Sequence, residues 1–124
     1  MSFYEGLKGA VRTYLSGGAI TQFDMVVGPN ASGQVTVAGA GALATGIALQ
    51  TTTVAAQSLG VAFDGRVMVV AAGVIANGAN VSSSATGKAL TSTTGQVIMG
   101  RALEAAVAGQ VFTMDFRRDG TLAP

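Results

Sequence analysis

The sequence predicts an all-β fold, a small barrel built from two duplicated halves and preceded by an extended N-terminal arm. Three observations carry this expectation. Short runs rich in Val, Thr and Phe are separated by glycine-containing turns, the pattern of many short strands. Long helices lack material: 18 glycines and 22 alanines make up about a third of the chain, and flanking glycines limit "GALATGIA" and "LEAAVAG" to one helical turn each. Finally, one stretch recurs. "GIALQTTTVAAQSLGVAF" (46–63) matches "GRALEAAVAGQVFTMDF" (100–116) through Gly46/Gly100, Ala48/Ala102 and Leu49/Leu103 at an offset of 54. It continues through Val54/Val107, Gln57/Gln110 and Phe63/Phe116 at an offset of 53.

The match extends upstream with a drift of one residue at a time, as small turn changes produce. Ser32-Gly33-Gln34-Val35 faces Thr86-Gly87-Lys88-Ala89 at 54, and Ala19, Ile20 and Val26 face Val74, Ile75 and Val81 at 55. Residues 18–63 and 73–116 therefore read as two copies of one unit, with Ile20 and Ile75 in matching places.

In chain order, "VRTYL" (11–15) is β-prone and stops at Ser16-Gly17-Gly18. "MVV" (25–27) runs into the turn "GPNASG", and "QVTV" (34–37) leaves it. "TGIAL" (45–49) and "GVAF" (60–63) follow, closed by "FDG". "RVMVVA" (66–71) is rich in β-branched valine, and "NVS" (80–82) leaves the turn "NGAN". "KALT" (88–91) lies between "SATG" and "TTG". "VIMGRAL" (97–103) precedes "VFTMDF" (111–116), where Phe112, Met114 and Phe116 alternate with Val111, Thr113 and Asp115.

Composition narrows the function. Charged residues are 10% of the chain against about 25% in ordinary soluble domains, and none lies between Asp24 and Asp64. A net charge of +1 supplies no basic stripe to neutralise phosphates, so no nucleic-acid partner is expected. Small residues make a thin core, since burial stabilises by about 25 cal/mol per Å², so association with something larger would help. The start "MSFYEGLKGAVRTYLSGG" lacks a basic segment followed by an apolar core, so no secretory signal is expected. The apolar run "VMVVAAGVIA" is about half the ~20 residues of a membrane helix, so no membrane partner is expected.

Catalysis has little to work with. His and Cys are absent, removing the commonest general base, the commonest metal ligand and the thiol nucleophile. The carboxylates are scattered, and Ser84 with Lys88 reads as a solvated hairpin pair. "VTVAGAGALA" carries Gly39, Gly41 and Ala44 in the spacing of a dinucleotide fingerprint, with Asp64 about 20 residues on. Gly46 and Thr51-Thr52-Thr53 interrupt the helix such a site needs, so a small-residue turn is expected. The Thr/Ser clusters at 50–53, 82–87 and 91–95 share no spacing and read as uncharged loops. No enzymatic activity, cofactor, metal or small-molecule substrate is expected.

The N-terminal segment concentrates Phe3, Tyr4 and Tyr14, three of seven aromatics, with Glu5, Lys8 and Arg12. Aromatics and Arg are favoured interface anchors, so Phe3, Tyr4, Arg12 and Tyr14 are the candidate intermolecular or inter-subunit contacts, with packing of Tyr14 on the barrel as the alternative for that residue. The expected organisation is an arm over 1–16, a β-domain over 17–116 and a tail over 117–124.

"GAITQFDMVVG", "GIAL", "GRVMVVAAGVIANGANVSSSATGKA" and "GRALEAAVAGQVFTMDF" together resemble the phage capsid decoration, or head cement, proteins. The likeness covers residues 17–116. It departs from the family pattern at Phe23-Asp24, where a glycine precedes the aspartate of the first turn. The resemblance implies a β-tulip- or β-clip-like domain on the outer surface of an icosahedral head. It also implies assembly in the host cytoplasm, a major capsid protein as partner, and a homotrimer clamping neighbouring capsid subunits. The alternative is a carbohydrate- or surface-binding β-module of a phage fibre; such sites usually show exposed aromatics within loops, and these loops carry none.

Overall fold

The computed structural model describes residues 11–117 and 120–124. Among these the chain forms ten strands and no helix. They are β1 (Val11–Ser16), β2 (Met25–Val27), β3 (Gln34–Val37), β4 (Gly46–Ala48), β5 (Ser58–Ala62), β6 (Gly65–Val70), β7 (Asn80–Ser83), β8 (Ala89–Thr91), β9 (Gly100–Ala102) and β10 (Val111–Phe116). The all-β expectation holds.

Each half wraps on itself. β1–β5 form a closed barrel in the order β1-β3-β2-β4-β5, with β5 returning to β1. β6–β10 form a sheet in the order β6-β10-β9-β7-β8. The first barrel closes through the parallel β1–β3 ladder, Leu15 opposite Gln34 and Ser16 opposite Val35. In the second half that seam is a single parallel bridge, Ala71 to Ala89.

The pairings repeat residue by residue. Ser16↔Val35 becomes Ala71↔Ala89, Val26↔Gly46 becomes Val81↔Gly100, and Ala48↔Val61 becomes Ala102↔Met114. Tyr14↔Leu59 becomes Val69↔Phe112, and the isolated bridge Ile20↔Thr52 becomes Ile75↔Ala106. The shifts are 55 residues in β1 and β2, 54 in β3 and β4, and 53 in β5, the same drift the sequence matches show. Ile20 and Ile75 do occupy matching places.

Gly46 and Gly100 show why one repeated residue must be small. A Cβ on Gly46 would run into the Ala62 carbonyl, and one on Gly100 into the Asp115 carbonyl. The fourth strand of each half can approach the fifth only without a side chain at this point.

Among the described residues two apolar clusters form the interior. The smaller, Ile20, Val26, Val35, Ala48, Leu59 and Val61, lines the inside of the first barrel. The larger holds the interior of the second half, including Val69, Met99, Phe112, Met114 and Phe116, and also Met25, Ala44, Ile47 and Ala62 from the outside of the first barrel. The halves thus share one core. Backbone bonds stitch the same junction, from Met25 N–H to Gly87 O at 2.7 Å and from Gly41 N–H to Ser83 O at 2.8 Å. Lys88 Nζ reaches Asp24 Oδ1 across it at 3.5 Å.

Three boundaries differ from the sequence reading. Val11–Ser16, read as the end of the arm, is a barrel strand whose Val11–Leu15 stretch is paired along β5. Ninth-strand pairing is confined to Gly100–Ala102, because Val97 and Ile98 pair instead with the C-terminal segment: Val97 bridges Leu122, and the Ile98 N–H donates to the Thr121 carbonyl. "LEAAVAG" makes no helical turn, its Ala106 being tied to Ile75 by an antiparallel bridge.

Candidate docking surfaces

Of the four candidate contact residues, Phe3 and Tyr4 lie outside the described residues. The structure brings the other two together. Arg12 and Tyr14 are two apart on β1, so they point the same way, and they lie opposite Val61 and Leu59 on the barrel's inner side. Tyr14 packs against the first-barrel cluster. Arg12 stays in solvent at the mouth of the barrel, its guanidinium carbon 5.7 Å from the centre of the Phe63 ring. Such an exposed cation–π contact is worth about 0.5–1 kcal/mol, enough to bias the side chain over the ring. With Gly28, Pro29 and Thr45 these three residues line an open cleft of about 340 Å³. Thr45 donates its hydroxyl to the Gly28 carbonyl at 2.6 Å, fixing the rim.

A second open cleft of about 340 Å³ lies on the outside of the second half, lined by Asn80, Ile98, Gly100, Arg101, Asp115, Arg117 and Thr121. Register assembles it: Asn80 is opposite Arg101, Arg101 is opposite Asp115, and Asp115 is opposite Arg66. Asp115 Oδ2 accepts from Arg117 Nε at 3.3 Å, and Arg101 Nε donates to the Gly78 carbonyl at 3.2 Å. Residue-type scanning along the chain misses this row, because its members are far apart in sequence. Aligning the two copies reveals it: the second copy carries charge where the first has Ile47, Ala62 and Val11.

Two exposed apolar tips also match, Val54 at 58% and Val107 at 54% exposure. A glutamine side chain closes each turn. Gln57 Oε1 accepts from the Thr53 N–H at 2.7 Å, and Gln110 Oε1 accepts from the Val107 N–H at 2.9 Å.

The remaining constellations are structural. Ser84 Oγ accepts the Lys88 backbone N–H at 3.1 Å, while the Lys88 ammonium turns to Asp24. The Gly39–Ala44 loop binds the second half through its Gly41 and Ala44 N–H groups. Ser82 and Thr52 are buried, with hydroxyls donating to the Val97 and Gly18 carbonyls. Among the described residues no group of three or more His, Cys, Asp or Glu is placed to hold a metal ion. No described helix is long and apolar enough to cross a membrane.

No protein-family model and no curated protein sequence matches this chain. A solved structure does. The head fiber gp8.5 N base in bacteriophage phi29 superposes with a TM-score of 0.75 at 16% identity, covering 91% of this chain and 98% of that one. The two share a fold over nearly their whole lengths.

Proposed function

We propose that this chain is a structural protein of a phage virion, a capsid decoration or cement protein. In this reading it binds the outside of an icosahedral head and stabilises contacts between major capsid subunits. The observation that carries the reading is the fold likeness to a head fiber base along nearly the whole chain. The molecule's chemistry supports it: the described surface is charge-poor and offers shallow clefts and exposed apolar tips, features suited to docking. The copies act as homotrimers assembled in the host cytoplasm, and the major capsid protein is the partner. Each contact is modest, and many copies add by avidity while binding only the assembled lattice.

The fibre reading has one specific observation in its favour, since the matched structure is itself a fiber base. Its carbohydrate-binding form is disfavoured, because among the described residues Tyr14, Phe23 and Phe63 are half-buried and Phe112 and Phe116 are buried.

Phe3, Tyr4, Arg12 and Tyr14 are the proposed contact residues, with residues 2–9 acting as an arm. Cosedimentation with heads of the encoding phage tests this. Deleting residues 2–9 is expected to weaken head binding at least about tenfold, or about 1.4 kcal/mol per copy, with the free protein's melting point changed by only a few degrees. Unchanged binding would remove the arm from the mechanism, and no binding by the full chain would overturn the reading itself. A cement role further requires that decorated heads resist heat or chelator better than bare ones. A fibre base would bind without that protection.

A further inference from the structure

The internal junction shows what covers a barrel mouth. In the second half the mouth residues Val67, Val69, Met99 and Phe116 are at most 7% exposed. The first half covers them. Met25, Ile47 and Ala62, opposed in one row across its outer face, share their apolar cluster, and the Ala44 N–H donates to Met99 Sδ at 3.4 Å.

Each side of this junction has an uncovered counterpart. The repeat register carries Val67, Val69, Met99 and Phe116 onto Arg12, Tyr14, Thr45 and Phe63, the open mouth of the first barrel. It carries Met25, Ile47 and Ala62 onto Asn80, Arg101 and Asp115, the open row of the second. We infer that a second copy of this chain seats its Asn80–Arg101–Asp115 row on the Arg12–Tyr14–Phe63 mouth, repeating between molecules the junction that joins the halves within one.

The two sides differ from the internal pair in a matched way. Inside, apolar Val67 faces an apolar row; outside, Arg12 at the mouth faces a row that carries a carboxylate. Among the described residues Asp115 is held only by a surface pair with Arg117, whose side chain is 72% exposed, so the carboxylate can exchange partners at little cost. Arg101 supplies a guanidinium for the Tyr14 and Phe63 rings. The C-terminal segment pairs on Val97 and Ile98 at the edge of the row, with Thr121 forming one wall of the cleft. Because a mouth meets a row, every added copy leaves one of each unfilled, and growth ends when a ring closes. This deepens the self-assembly part of the proposed function but involves no capsid.

Sedimentation velocity on the free full-length protein tests it, in a concentration series up to about 1 mM at low and high salt. The wild type should associate reversibly, and at least about tenfold more weakly at ~0.5 M than at ~0.05 M salt. Arg12→Glu and Asp115→Lys should each sediment as monomers with unchanged circular dichroism and a melting point within a few degrees of wild type. An equimolar mixture of the two, or both changes in one chain, should associate again, since opposite charges then face each other. A monomeric wild type at every concentration, single variants that still associate, or no recovery in the mixture and the double variant would each overturn the inference. Heads left undecorated by a chain that associates in this way would count against the proposed function alone.

Discussion

At Ala56 and Phe23 the two copies solve the same backbone problem with different residues. Ala56 has φ of 67° where its counterpart Gly109 has 86°, and Phe23 has 73° where Gly78 has 85°. Left-handed backbone costs a residue with a Cβ about 1–2 kcal/mol, while glycine avoids that cost and loses about 0.5–1 kcal/mol through its freer unfolded state. Ala56 is exposed and gains little in return, so Ala56→Gly should stabilise by about 0.5–1 kcal/mol and raise the melting point by about 2–5 °C. Calorimetry on the variant checks this, and a lower melting point would mean the turn is not strained. Phe23 is half-buried against the shared core, and that packing offsets its strain. The missing glycine before Asp24 was legible in the sequence as a departure from a pattern. That a phenylalanine nevertheless takes the glycine conformation was not, because the compensation comes from residues distant along the chain.

Among the elements, the closing strands of each half are the most constrained. Gly46→Ala or Gly100→Ala would set a methyl group against a carbonyl of the neighbouring strand, where neither backbone can yield without losing ladder bonds. Each should cost about 2–3 kcal/mol, the upper end of overpacking effects. Gly39→Ala, which meets nothing within 4 Å, should lie within about 0.5 kcal/mol of wild type in urea titrations. Equal effects at all three positions would refute the close-approach account. Strand positions were largely legible, because alternation and turn residues are local signals, and the drift from 55 to 53 predicted the pairing correspondence itself. The ninth strand was overextended since "VIM" is β-prone, yet its Val97 and Ile98 find partners in the C-terminal segment. Propensity does not say which neighbour a strand will choose.

On the scale of the whole molecule, the shared core makes the halves interdependent. We expect a single unfolding transition, with equal calorimetric and van't Hoff enthalpies, although the chain contains two repeat units. A fragment of residues 64–124 should not fold alone, since it would expose Val67, Met99 and Phe116 without the Met25–Ile47–Ala62 row that covers them. A cooperative melt from that fragment would show the halves to be autonomous. Half of the candidate docking surface was legible: Arg12 and Tyr14 stood out as aromatic and charged residues in a charge-poor chain. Asn80, Arg101 and Asp115 did not, because only the register across three strands makes them neighbours. The seam of the second half has a mechanical meaning. The first barrel is laced shut there by Leu15 N–H to Gly33 O and Gly17 N–H to Val35 O, whereas the second has Ala72 N–H to Ala89 O at the matching place. In local openings of the folded molecule this line should part first. The Ala72 amide should then exchange with deuterium well before Gly17, and the staves β6 and β8 should part while the first barrel is still whole.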